Sequence, residues 1–550
     1  MKIKTSPLLM IFVLACFGFL PELQAVVPPP DGGYPGGNTA EGHLALGSLT
    51  TGIYNTGVGI YSLLSITDGD FCTGVGAGTL LANAANENTA TGAGALLSNT
   101  TGTANTANGA FALFSSTEGS SNTADGDQAL LSNTTGSNNT AVGVLALLNN
   151  TASGNTAIGS QALLNNTTGG TLGNVQGFDV GPNVAVGWQA LESNTIASAN
   201  TAVGYQALAS VTTGFNGTEF SLSTAVGFQA LANANGDPGF ANSGFGYHAL
   251  YSDTDGAFNT ATGALALSSN TTGNSNTAVG LSALLSNTTG GSNTAVGNTA
   301  LADNIDGEAN TALGSGALNG NTTGVTNTAT GNAALFNNIS GNNNVAVGSA
   351  ALLSNTSGDD NIALGVLAGD NVTTADNVIC IGNLVAGENV SNSCYIGNIV
   401  GSTVANSNFV LIDTATGQLG TNPSSERFKK DIGPMGKTSE AIFSLKPVSF
   451  YYKDDKTSTP QFGLVAEEVA KVNSALITVD EEGKPYSVRY DKVDAMLLNE
   501  FLKEHRKVQE QQSEIDALKA ELREQRDLIQ KVSDRVEMNK SASQIVADNQ

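Results

Sequence analysis

The sequence predicts a mainly β protein: a repetitive β-solenoid or β-roll shaft that assembles as a trimer, then a small α+β domain, then a C-terminal coiled-coil helix. Three observations carry this prediction. A phrase of the type Asn-Thr-Ala-Val-Gly returns at a spacing of 17 residues through most of the 550-residue chain. Between Lys4 and Arg427 there is no Lys or Arg. From Ser424 onward the phrase is gone, and 20 of the 22 basic residues lie there with 23 of the 47 acidic ones. A long repetitive rod therefore precedes a compact module of ordinary composition.

At the N-terminus, Lys2 and Lys4 precede an apolar run from Leu8 to Leu20, and Leu23-Gln24-Ala25 follows. This is the layout of a secretory signal cleaved after Ala25. Residues 1–25 are read as a signal peptide and 26–37 as a linker, so the protein is expected to be secreted or at the cell surface. Lipid attachment at Cys16 is the weaker alternative. No stretch beyond the signal approaches the roughly 20 apolar residues that a membrane span requires. Residues 26–423 hold 23 Asp or Glu and no base. Such a rod repels phosphates, so nucleic acid is not an expected partner.

The shaft is read over residues 38–400. With the Asn of each phrase as position one, the coil starts run from Asn38 to Asn392 and define 21 units. The coil Asn276–Ser292 is representative, with apolar pieces Thr277-Ala278-Val279 and Ala283-Leu284-Leu285 separated by Gly280 and closed by Asn287-Thr288-Thr289-Gly290. Two strands and two turns per coil are expected. Gly, Thr and Asn at this density disfavour helix, and the Asn-rich corners suit left-handed turns. A unit this short cannot bury its own apolar side, so coils stack at about 4.8 Å each into a rod roughly 100 Å long. Adjacent leucines on a strand point to opposite faces. One fills the coil; the other needs a partner outside it, best supplied by two further copies around a three-fold axis. A homotrimer is the expected partner state. These repeats resemble the heads of trimeric autotransporter adhesins and the shafts of phage tail fibres, whose coils are usually shorter than this 17-residue unit.

Three spacings are longer: 28 residues from Asn155 to Asn183, 23 from Asn200 to Ser223 and 19 from Ser223 to Asn242. They are read as loops pushed out of the rod. The only Trp, Trp188, gathers there with Tyr205, Phe215, Phe220, Phe228 and Phe245. Trp188, Tyr205, Phe215 and Phe220 are the candidate contacts for a glycan or a cell-surface receptor, against the plainer reading that these rings cover the seam between interrupted coils. The pairs Asp68/Asp70, Asp125/Asp127 and Asp253/Asp255 lack the further oxygen ligands of a calcium site and are read as solvated turn acids. Cys72, Cys380 and Cys394 are expected to be buried or neutral thiols without a bridge, Cys380 and Cys394 facing opposite ways by strand alternation. No metal and no cofactor is expected.

After a neck at 401–423 comes the module at 424–497. Its order is Ser424-Ser425-Glu426-Arg427-Phe428-Lys429-Lys430, then Leu445-Lys446-Pro447-Val448-Ser449-Phe450-Tyr451-Tyr452, then Gln461 to Val472, then Tyr486 to Tyr490. This strongly resembles the intramolecular chaperone autoprocessing domain of endosialidase-type tailspikes. The resemblance implies a domain that helps three chains trimerise and wind their β-shafts, and a Ser-Lys dyad that acts once in cis as a serine endopeptidase. It places nucleophile and base on Ser424 and Lys429 and the cut between Pro423 and Ser424. Ser425 with Lys430 repeats the spacing and ranks second; a Ser that merely caps a short helix is the plain alternative.

Phe501, Val508, Ile515, Leu522, Ile529 and Val536 then recur at seven, with Gln511, Leu518, Gln525 and Val532 on the other seam. Residues 498–538 are read as a parallel coiled coil, with a single helix folding back on the module as its rival. Residues 539–550 are read as a disordered tail. The expected function is an exported trimeric fibre or adhesin-like protein that cuts itself before Ser424. The alternatives are an uncleaved structural fibre and a carbohydrate-binding or carbohydrate-cleaving tailspike, which would need paired carboxylates such as Asp179 and Glu219. Binding of ice or mineral by the Thr rows is the remotest reading.

Overall fold

The structure is a computed structural model. It describes residues 34–547 except 172, 176–177, 215–220, 236–240, 400–408, 413–417, 422, 454–456 and 481. The signal peptide, Cys16, most of the linker, much of the neck, Phe215, Phe220 and Glu219 lie outside the described residues. The chain divides into two compact units, 1–402 and 403–550.

The first unit is a parallel β-solenoid in which 21 short strands form one sheet, from Thr39–Glu41 to Ser393–Ile396. Each strand begins one residue after a coil start read from the sequence. Like residues stack in register, as where Thr277, Ala278 and Val279 lie opposite Thr294, Ala295 and Val296. The 28-residue spacing leaves this register intact: Val184 pairs with Thr156, and the excess chain forms an antiparallel hairpin of Gly173–Val175 with Phe178–Val180.

Each coil carries one strand and not the expected two. The Ala-Leu-Leu piece fails to extend because its residues alternate in the sign of φ. In the representative coil Ser282 and Leu284 sit at φ 55° and 52°. The piece still joins the ladder in both directions, since Ser282 N–H donates to Ala264 O and Leu284 N–H to Ala300 O, both at 3.0 Å. This folding turns Ala283 and Leu284 fully inward beside Ala278, and leaves Leu285 half-buried. Burying a Leu contributes roughly 1.5–3 kcal/mol, which offsets the roughly 1–2 kcal/mol of a left-handed L-residue.

Two asparagine ladders run inside the rod. At position one, Asn293 N–H donates to Asn276 Oδ1 at 3.0 Å, and its Nδ2 donates to Gly307 O at 2.8 Å. At position twelve, Asn304 Nδ2 donates to Asn287 Oδ1 at 2.7 Å and to Gly307 O at 3.0 Å. All four of these side chains are fully buried. The ladders satisfy polar groups that a coil this thin cannot expose to water. Where the next coil lacks the position-twelve Asn, the chain of donors stops. Asn99, Asn194 and Asn355 precede Ser116, Val211 and Val372, and their Oδ1 atoms are buried without a partner, as is that of Asn133, although Asn150 follows it.

The second unit is built from short pieces. Val448–Phe450 pairs antiparallel with Gln461–Gly463, and Ile477–Val479 with Pro485–Val488. The helix Ala466–Val472 lies between the hairpins in sequence. Fully packed apolar positions are few: Val469, Leu476, Val488 and Met496. A 58-residue helix, Tyr490–Ala547, follows. It continues past 539, where the sequence predicts a disordered tail; nothing in this last stretch is Pro or Gly, so the helix is not interrupted.

Candidate functional site

The turn after the neck brings Ser424 and Lys429 together. Glu426–Phe428 forms one 3-10 turn, closed by Phe428 N–H to Ser425 O at 3.0 Å and Lys429 N–H to Glu426 O at 2.9 Å. The turn folds the chain back so that Lys429 Nζ donates to Ser424 Oγ at 2.9 Å. Ser425 precedes the turn but its side chain caps nothing, so the plain capping alternative finds no support at that residue. The Arg427 guanidinium lies over the Phe428 ring at 4.6 Å, which holds it in the turn. Pro423, Ser424 and Lys429 are all exposed. A lysine acts as a general base only as the neutral amine, a state favoured by burial or by neighbouring cations. The dyad therefore has its hydrogen bond but, in a single chain, lacks the enclosure that would favour this state.

Residues 424–478 match the chaperone of endosialidase family. The match begins at Ser424 and includes Lys429, both hairpin strands Val448–Phe450 and Gln461–Gly463, and the helix Ala466–Val472. It stands C-terminal to the solenoid, in the order the sequence predicts. No curated protein and no solved structure matches the chain.

Within this module a buried polar knot ties the 3-10 segment Thr438–Ser444 to the terminal helix. Ser439, fully buried, donates to Glu500 Oε1 and accepts from Asn499 Nδ2 at 2.6 Å. Lys503 Nζ reaches Glu500 at 2.6 Å and Ser439 Oγ at 3.4 Å. Lys503, with Ser439, holds the Glu500 carboxyl below its usual range. The sequence reading missed this knot because its partners are about 60 residues apart and follow no motif.

The second candidate site is on the shaft. Trp188 and Tyr205 stack with centroids 4.9 Å apart, so the structure brings together two of the four candidate ligand contacts. Tyr205 stacks in turn on Phe228 at 4.9 Å and Phe228 on Tyr247 at 5.6 Å. All four rings occupy position six of successive coils, a register that the uneven spacing concealed.

The acid pairs behave unequally. Asp70 accepts from Ile53 N–H at 2.8 Å as an exposed corner contact, whereas Asp125 ends the strand Thr123–Asp125 and accepts from its exposed cross-strand neighbour Asn108 Nδ2 at 3.0 Å. Asp253, expected to be a solvated turn acid, is instead fully buried. It takes the Asn place in the position-twelve ladder, accepting from Asn270 at 2.6 Å and Asn242 at 3.0 Å. Burial pushes its carboxyl well above the usual range. Among the described residues no group of three His, Cys, Asp or Glu side chains is placed to hold a metal ion, and no helix is long and apolar enough to cross a membrane. The three cysteines are free; Cys72 and Cys380 are buried, with thiols pushed up by burial, whereas Cys394 is exposed. The opposite facing of Cys380 and Cys394 is as strand alternation predicts, but burial does not extend to Cys394.

Proposed function

We propose that this chain is an exported homotrimeric fibre whose C-terminal module drives assembly of the β-shaft and then cuts the chain between Pro423 and Ser424, with Ser424 as nucleophile and Lys429 as base. The single observation that carries the proposal is the Lys429–Ser424 hydrogen bond inside the family-matched segment. In the cut, Lys429 takes the hydroxyl proton as Ser424 Oγ attacks the Pro423 carbonyl carbon; the acyl ester forms as the Ser424 amide nitrogen leaves with a proton, and water hydrolyses the ester. Backbone donors must hold the oxyanion.

Assembly is supported by what one copy leaves uncovered. In the module Phe443 is 69% exposed and Phe462 82%, a poor state for a domain with so small a core. Along the terminal helix Phe501, Val508, Ile515, Leu522, Ile529 and Val536 are all exposed. An apolar row that repeats every seven residues and is left exposed along a helix fits the seam of a coiled coil. Enclosure by neighbouring copies would also supply the burial the dyad lacks. The fibre's outward contact, to a glycan or surface receptor, is placed at Trp188 and Tyr205.

Sedimentation of the full-length protein tests the assembly claim: three copies are expected, and Ile515→Lys with Leu522→Lys should reduce them to one. A monomeric parent would contradict it.

A further inference from the structure

The aromatic row on the shaft is bordered by a second, polar row. Trp188, Tyr205, Phe228 and Tyr247 are 40–50% exposed, and their ring planes depart from parallel by only 22°, 5° and 16° at successive steps. At position seven of the same coils an amide chain runs beside them. Gln189 Nε2 donates to Gln161 Oε1 at 2.8 Å, Gln206 to Gln189 at 2.8 Å and Gln229 to Gln206 at 2.7 Å, with His248 closing the row on Gln229 at 2.9 Å. Each amide nitrogen has two hydrogens and each amide oxygen two lone pairs. The chain therefore leaves Gln206 and Gln229 with a donor and an acceptor apiece to offer, at a step of about one coil, ~4.8 Å.

We infer that this paired stripe binds a neutral, unbranched polysaccharide lying along the rod axis. The inference rests on the receptor contact proposed above and names its chemistry. Pyranose rings present C–H groups and equatorial hydroxyls side by side, and the stripe offers the outward edges of its stacked aromatic rings beside amide forks in the same order. The coil step is close to the length of one sugar in an extended chain, so successive units meet successive rings. The line is one coil position wide, so it contacts a single unbranched run of sugars. Charge fixes the sign: the shaft has no Lys or Arg and 21 acids, so an anionic glycan is repelled. A second copy of the chain is the less fitting occupant. An interface running the length of the shaft would need an apolar position six throughout, yet that position holds Asp127, Asn298, Ser315 and Asn332 in other coils.

Trp188 is the chain's only tryptophan, so its fluorescence in the full-length protein reads the stripe directly. Titration with cellohexaose, xylohexaose, mannohexaose and maltohexaose should give a saturable change with at least one of them, and polygalacturonate should give none. Tyr205→Ala should weaken that binding at least tenfold. Gln206→Leu, which keeps the bulk and removes the amide, should weaken it several-fold, while Val144→Ala, at the same coil position outside the stripe, should leave it unchanged. Emission that ignores all four sugars, or responds equally to polygalacturonate, would overturn the inference. Emission that follows protein concentration and not sugar would assign the stripe to a contact between copies and would overturn it too. Failure of trimerisation or of chain cutting is read separately, by sedimentation and mass, and so is not confused with failure to bind sugar.

Discussion

At position five of the representative coil, Gly280 sits at φ +139°, and a Cβ there would lie 2.3 Å from Gly297 O of the next coil. Both the backbone and the space require glycine. Gly280→Ala should cost at least about 1–3 kcal/mol for the strained conformation alone and open the rod locally. Thermolysin cleavage near residue 280 at a temperature that leaves the parent intact is the check. Asp253 gives a pH-dependent test. Its folded pKa is raised above its usual value of 3.8, so the folded state holds the proton more tightly than the unfolded chain does. Its favourable contribution is complete below the unfolded value and is lost as pH rises through the raised folded one. Asp253→Asn should therefore raise the melting temperature at pH 7, by an amount corresponding to about 1–3 kcal/mol, and the gain should shrink on acidification toward pH 4. Glycine and asparagine positions were legible because each recurs. The burial of Asp253 was not, because its neighbour Asp255 suggested an acidic corner while the ladder register, which places it among Asn270 and Asn242, emerges only when coils are superposed.

At the scale of elements, coil number and strand starts were readable to the residue, since a stack that aligns like residues must repeat their spacing. The second strand was not. Ala-Leu-Leu is a short apolar piece bounded by turn residues and so reads as a strand, but a closed coil of 17 residues has to turn sharply, and left-handed Leu284 does so while staying buried. The aromatic row was partly legible: Trp188, Tyr205 and Phe228 were singled out by composition, whereas Tyr247 joined them by register. In the module, the Ser439 knot sets how the 3-10 segment meets the terminal helix. Ser439→Ala should cost on the order of 1 kcal/mol and speed amide hydrogen exchange over residues 438–444. Since Glu500 is held below its usual carboxyl range, its contribution is present above the unfolded value and lost as pH falls through the folded one. Glu500→Gln should remove that part of the module's acid sensitivity.

For the whole molecule, the boundary at Ser424 separates two ways of being stable. The rod holds itself by backbone ladders, buried asparagines and an Ala/Leu core, with most of its buried polar groups paired within one chain. The module and the terminal helix pack few apolar side chains and leave most of their large ones in solvent, whereas each coil of the rod buries its own Ala/Leu core. That contrast fits the proposed folding aid: parallel coil stacking joins residues at least one coil apart, and a trimeric seed at the C-terminus, as proposed, would supply a template. The central claim is that the Ser424–Lys429 pair cuts the assembled chain. Intact mass of the purified full-length protein beside Ser424→Ala tests it most directly. The account predicts that the parent alone divides between Pro423 and Ser424, with the variant whole and still trimeric; a trimeric parent that stays uncut would contradict it.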